Sequence, residues 1–379
     1  MSTTSTGLLY SDVEDDLRSS VRALLRDRCA PESVVGVYDG QPPAPDLWPA
    51  LGRDLGLAGL LVPEDLGGAG ATAREAGVVL EELGRAVAPV PFLTGSVLAA
   101  TALARVRDDR VLPKVAAGEQ TAALVLPLAT PPGPPGPPGQ PGGLRGSVRR
   151  EAGRLHGRVT SVADAGAADL LVVPVEGSGG LELHHVDPGD GGVAVRAVPS
   201  MDMTRPLADV ELDGAESVVL ADDAGPAVEA ALTAAAALLA SEQLGVAEWC
   251  LESTVAYVRE RKQFGRPVGS FQALKHRLAD LWLEIASARA AARYAAGVVA
   301  DHGEEDTGEV ATAAALAQAY CSGVAVHAAE ECVQLHGGIG MTWEHPAHLY
   351  LKRAKADEIA FGTAAMHRAA LADLVDLPA

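Results

Sequence analysis

Cysteine, aromatic side chains and positive charge are all in short supply in this sequence, and each shortage narrows what the chain can be. Its four cysteines, Cys29, Cys250, Cys321 and Cys332, are scattered without a CxxC pair. That spacing argues against a disulfide framework and suits buried free thiols in a reducing compartment. None of the ten histidines falls into a metal-ligand spacing with a cysteine, and adjacent His184 and His185 would face opposite sides of a strand, so no metal site is expected. With 30 Lys and Arg against 50 Asp and Glu, the formal net charge is −20, which argues against nucleic acid as a partner. An anionic small molecule is still admissible where its phosphates meet a local basic patch. No run of about 18 uncharged apolar residues reads as a membrane span. The opening MSTTSTGLLYSDVEDD lacks the basic-then-apolar order of a signal peptide, so a cytoplasmic location is expected.

What the chain has is length and apolar content: 379 residues, 48% of them hydrophobic, which is more than one core can use. Three segments are predicted. Residues 1–119 read as helical, with Leu17, Val21, Leu24 and Leu25 forming an apolar stripe and Asp15, Asp16, Arg18 and Arg22 outside it. Leu47 to Leu51, Ala73 to Leu83 and Val97 to Val106 add helical pieces. The glycine-rich EDLGGAGAT at 64–72 is a plain turn, because no strand-turn-helix unit surrounds it.

Residues 120–221 change to short strands bounded by Gly, Pro and Asp, namely 122–126, 168–174, 180–185, 193–198 and 208–212. They predict a small antiparallel β-domain. Inside it, PPGPPGPPGQPGG at 131–143 is too short for a collagen triple helix and reads as a polyproline-like loop. Residues 222–379 read as four or five helices, and the low aromatic content suits a bundle. The class is α+β.

One stretch stands out chemically. Between a helix expected from Pro226 to Tyr257 and another capped by Ser270 lies a basic turn, Arg261, Lys262, Gln263, Phe264, Gly265, Arg266. Its three cations could hold a diphosphate, although a solvated hairpin turn would have the same composition. Later, CVQLHGGIGMTW follows another Ala-rich helix, and Gly337 and Gly338 can end that helix and let a ligand approach the backbone.

Together RKQFG, SFQALKHRLAD, QLHGGIG, the closing KADEIAFGTAAMHR and the N-terminal LGLAGLLVPEDLGGAGATAREAGVVLEELGRA resemble the acyl-CoA dehydrogenase family of flavoproteins. The resemblance implies an N-terminal helical domain, a central β-domain and a C-terminal bundle. It implies FAD, whose adenosine diphosphate part would be held across a subunit boundary by Arg261, Phe264, Gln334, Gly337 and Gly338, with Thr363 also near the cofactor. Taken singly, Phe264 could equally pack in a core and Gln334 could cap a helix. The implied partners are an acyl-CoA or acyl-carrier-protein thioester, an electron-transfer flavoprotein, and other subunits, as a homotetramer (dimer of dimers) or a heterotetramer. Lipid or specialised metabolism is the implied setting.

The sequence departs from the family where the chemistry should be. A thioester dehydrogenase removes the proton α to the carbonyl with a carboxylate while hydride leaves the β carbon for the flavin. The residue before the closing Gly-Thr, usually Glu, is Phe361, and the family's second base position falls on Ala235. The thioester-binding positions fall on Thr233 and Ala236, and the flavin-ring positions on Ser161 and Ala163, with LPLATPPG replacing the hydroxyl-rich loop. Glu242, seven residues after Ala235 and about two turns along the same helical stripe, is the acid nominated as base. Asp357 and Glu358 are weaker candidates. Three functions remain open: a dehydrogenase with a displaced base and Phe361 lining its acyl pocket, a subunit of a heteromeric dehydrogenase whose partner supplies the base, and a flavin monooxygenase of the same fold.

Overall fold

The computed structural model describes residues 7–133, 147–177, 179–302 and 308–376; most of the Pro/Gly-rich loop expected at 131–143 therefore lies outside the described residues. The first layer is helical: α1 (Asp12–Arg28), α2 (Pro31–Tyr38), the short α3 (Leu47–Pro49), α4 (Ala73–Ala86), α5 (Ala100–Arg105) and α6 (Leu112–Ala116). Ser11 and Thr72 start α1 and α4 with reciprocal capping boxes to Glu14 and Glu75. Val21 and Leu25 of the expected stripe are buried.

The middle of the chain forms a sheet of eight strands, β1 (Ala122–Leu124), β2 (Val148–Glu151), β3 (Arg154–Ala163), β4 (Leu170–Glu176), β5 (Leu181–Val186), β6 (Val193–Val198), β7 (Leu207–Ala215) and β8 (Val218–Ala221). Most pairings are antiparallel, but β1 and β2 each run parallel to β4. The ten-residue β3 is absent from the sequence expectation because Gly157 and the polar Arg158, Thr160 and Ser161 blur its alternation.

The remainder is a bundle of long helices: α7 (Gly225–Glu260), α8 (Gln272–His302), α9 (Gly308–His336), α10 (Ala347–Asp357) and α11 (Ala364–Leu374), with a two-residue hairpin, β9 (Lys262–Gln263) and β10 (Arg266–Pro267), between α7 and α8. Two segments, Gly225–Glu260 and Gly308–Met341, are long and apolar enough to cross a membrane, yet 94% and 61% of their apolar windows are buried inside the fold, as in core helices. The cap expected from Ser270 is not made: its Oγ is buried without a partner, and α8 begins two residues later. One apolar core runs from α1 and α4 through α7 to α9 and α10, so α7 forms the axis of the molecule.

Candidate functional site

The ends of α7 and α9 place two turns side by side. Tyr257, four residues before Arg261, packs its ring 4.5 Å from the ring of His336, the residue before Gly337. The first turn is a β-hairpin in which Phe264 and Gly265 both take positive φ, 51° and 74°, the backbone a two-residue hairpin with primed geometry requires. It is pinned by the Val268 N–H donating to the Arg261 carbonyl at 2.7 Å and by Arg266 stacked over the Phe271 ring. Its side chains point away from the protein. Phe264 is 89% exposed, and Arg261, Lys262 and Gln334 are exposed as well. At the second turn Gly337 has φ 65°, and a Cβ added there or at Gly338 would meet only open space. The backbone of this turn is thus not covered by neighbouring side chains at these two positions.

The opposite end of the bundle is closed. Phe361, where a catalytic Glu is expected by resemblance, is 1% exposed and also left-handed, at φ 53°. Its N–H donates to the Leu128 carbonyl at 2.8 Å, and the Leu128 N–H donates to the Ser161 carbonyl at 3.0 Å. The Ser161 N–H in turn donates to the Asp209 carboxylate at 3.1 Å. This strap ties together the two segments that the resemblance sets opposite the flavin ring. The cleft it covers, lined by Thr94, Leu126, Leu128, Ala163, Leu232 and Phe361 among others, measures about 10 Å³, the space of a single water. Ala235 and Ala236 are fully buried, Thr233 donates to the Glu229 carbonyl of its own helix, and Thr363 caps α11.

Glu242 does face inward, into a buried ionic cluster. Arg205 Nη2 donates to both of its oxygens at 2.7 Å, and Arg353 donates to one of them. Arg353 also reaches Asp202 at 2.7 Å and Thr204, and Arg205 reaches Asp357 at 2.5 Å. Burial pushes the Glu242 carboxyl up, but the two guanidiniums outweigh it and hold the group below the ordinary range. A carboxylate so held is a poor proton acceptor, so this placement leaves Glu242 unsuited to be the base.

Two guanidiniums are balanced by Glu242 and Asp202. The third acid, Asp357, is accordingly pushed up to about 7 by burial and by the negative charge of Glu242, with Oδ2 unpartnered. It pairs with Arg205 rather than with the lysines of its own helix. Gln243 and Gln318 both donate to its carbonyl, and Gln318 also to that of Ala360, each at 3.2 Å. The cluster therefore anchors the turn that carries Phe361. Among the other acids, Glu248 binds Arg85 and Arg289, and Glu358 binds Lys355.

Asp202, Arg205 and Asp164 carry no motif and escaped the sequence reading. Asp164 follows Ala163 of the cleft, accepts a hydrogen bond from Thr94, and is pushed up by burial. No group of metal-ligating side chains occurs among the described residues.

The sequence matches "Acyl-CoA dehydrogenase, N-terminal domain" over residues 11–119 and "Acyl-CoA dehydrogenase, C-terminal domain" over residues 225–375. The chain belongs to the acyl-CoA dehydrogenase family. It is 37% identical to the acyl-CoA dehydrogenase IpdE2 of Mycolicibacterium smegmatis over 345 residues, 91% of this chain and 93% of that protein. Among solved structures, a chain of the ChsE4-ChsE5 complex from Mycobacterium tuberculosis superposes with a TM-score of 0.85 at 30% identity, covering 98% of this chain and 100% of that one. A chain of the Tcur3481-Tcur3483 steroid ACAD follows at 0.81 and 28%, covering 96% and 98%. The family places the chain among flavoprotein oxidoreductases that act on acyl-CoA, and its central sheet between helical domains is that of the family fold.

Proposed function

We propose that this chain is one subunit of a heteromeric acyl-CoA dehydrogenase, presenting its α7 and α9 turns to FAD seated against a partner subunit that supplies the catalytic base. The observation that carries the reading is an asymmetry. The turns that would reach a neighbour's cofactor are open, cationic and approachable, whereas the chain's own cleft is strapped shut and has no acid at either base position of the family.

The residues of the open half fit a diphosphate. The guanidinium of Arg261 and the ammonium of Lys262 offset its charge, Gly337 and Gly338 leave backbone N–H groups within reach, and the Gln334 amide supplies a further donor. The exposed Phe264 ring would help to hold the adenosine part. FAD, when bound, supplies the hydride acceptor for oxidation of the acyl thioester. On the closed side Phe361 and the Leu128–Ser161 strap exclude water, and neither Phe361 nor Ala235, at the positions where the resemblance expects a base, can accept the α proton.

Two relatives lend support, since ChsE4-ChsE5 and Tcur3481-Tcur3483 are each named as a pair of chains. The second is called a steroid ACAD, so the proposed substrate is a bulky, ring-bearing acyl-CoA, with an electron-transfer flavoprotein as electron acceptor. The test is to purify the chain alone and with a candidate partner, record flavin spectra, and titrate each anaerobically with acyl-CoA thioesters. FAD retained and bleached only in the pair is the expected result. A chain that binds FAD and is bleached unaided overturns the proposal.

One observation favours the self-sufficient enzyme instead: Asp164, partly buried beside the cleft and with a raised carboxyl, has the environment a general base needs. Asp164→Asn in the active preparation separates the two readings, because only the self-sufficient enzyme would lose about a thousandfold in turnover.

A further inference from the structure

A second cavity lies apart from the Phe361 cleft: the two have no lining residue in common, and its volume is about 410 Å³ against about 10 Å³. It opens between α1, α2, the end of α4, the middle of α7 and the start of α10. Leu25, Cys29, Val34 and Leu349 line its apolar walls. Trp249 and Tyr350 form a stacked aromatic floor, with ring centroids 3.5 Å apart and planes within 4°. The Tyr350 hydroxyl donates to the Arg85 carbonyl at 2.6 Å, which satisfies its polar end and leaves only the ring for a ligand.

The charges around this cavity are uneven. Arg22, Arg26 and Arg85 contribute to its lining against a single acid, Glu82, in a protein whose net charge is −20. Arg22 is committed to Glu82, and Arg85 to Glu248 and Glu252. Arg26 is exposed and has no hydrogen bond or ion pair among the described residues. A free guanidinium at the edge of an apolar, aromatic-floored cavity of small-ligand size is complementary to a molecule with one anionic head and an apolar body.

We propose that this cavity is a second binding site, for a small amphipathic carboxylate of the fatty-acid kind, with Arg26 taking the carboxylate and Trp249 and Tyr350 supporting the apolar body. The proposal needs neither flavin nor turnover, so its failure is distinct from failure of the heteromer reading.

Cys29 provides a reporter inside the cavity. It is 6% exposed while the other three cysteines are fully buried, and burial pushes its thiol up to about 11, so alkylation by N-ethylmaleimide is slow and best followed at mildly alkaline pH. Decanoate is expected to slow Cys29 labelling, decan-1-ol to do so less, and decyltrimethylammonium not at all. Arg26→Glu, at an exposed position, is expected to weaken decanoate protection about tenfold or more. Ala30→Trp, which fills the mouth of the cavity, is expected to abolish it. Absence of protection, equal protection by the cationic analogue, or protection unchanged in both variants would overturn the site. So would loss of decanoate binding in the assembled enzyme with Cys29 shielded by the partner, because the cavity would then be a subunit contact.

Discussion

Phe264 and Phe361 have nearly the same backbone and opposite fates. Each takes a left-handed φ, 51° and 53°, and each is followed by a glycine with positive φ, 74° at Gly265 and 99° at Gly362. A bulky residue in that region costs on the order of 1–2 kcal/mol, so something must hold each one there. At Phe264 a two-residue ladder and the Arg266–Phe271 stack hold the backbone while the ring stays 89% exposed. At Phe361 the Leu128 carbonyl receives its N–H, His367 Nε2 lies 2.8 Å from its carbonyl, and the ring is 1% exposed. The same Phe-Gly pair thus presents a ring outward at one end of the bundle and plugs a cleft at the other. What separates them is the support behind the backbone: bare hairpin in one case, a buried ionic cluster in the other.

If that cluster is the support for the Phe361 turn, Arg353→Ala, which takes the guanidinium from Asp202 and leaves Glu242 with Arg205 alone, should cost about 3–5 kcal/mol in urea unfolding. A loss below about 1 kcal/mol would detach the cluster from the turn. Next in size comes the pair itself. Phe361→Ala should destabilise by about 3 kcal/mol or more through the cavity it leaves, while Phe264→Ala should stay within about 0.5 kcal/mol. Similar values for the two would erase the contrast between them. In the assembled enzyme Phe264→Ala and Arg261→Ala should instead weaken flavin retention without changing the stability of this chain.

The pH dependence of stability is a finer probe of the closed end. Asp357, raised to about 7 from 3.8, keeps its proton in the folded state after the unfolded chain has lost it, so it makes stability fall as pH rises through the window between those values. Above about 7 both states are ionised and the slope vanishes. Glu242 and Asp202 are held low, so their stabilisation is lost only in acid, below the ordinary carboxylate range. Asp357→Asn should therefore flatten the profile between about pH 4 and 7 and leave the acid limb in place. An unchanged profile would show that Asp357 is ionised throughout. The smallest expected effect is on chemistry: in folded, assembled enzyme, Glu242→Gln should alter turnover by less than about tenfold, and a thousandfold loss would return Glu242 to the role of base.

The family and its helix-sheet-helix order were legible in the sequence because they rest on local patterns: Ala-rich helical periodicity around α7 and α9, Gly at the end of α9, and short apolar strands between turn residues. Where local pattern was weak the reading slipped. The alternation of β3 is interrupted by Gly157 and polar residues, and the parallel pairings of β1 and β2 with β4 depend on partners far along the chain. Ser270 has the chemistry of a cap but not the position of one.

Glu242 shows where the limit lies. Helical periodicity correctly turns it inward, and seven residues from Ala235 it shares that residue's stripe. What meets it there, Arg205 from the loop before β7 and Arg353 from α10, lies 37 and 111 residues away, a separation no local pattern can encode. The sequence by itself determined that Phe361 and Ala235 stand where the resemblance expects acids, and which residues form the basic turn. Only the tertiary structure decided that the remaining inward acid is neutralised by two guanidiniums and that one Phe-Gly pair faces out while the other is buried. Both outcomes turn on burial, and burial depends on which distant segments close over a residue.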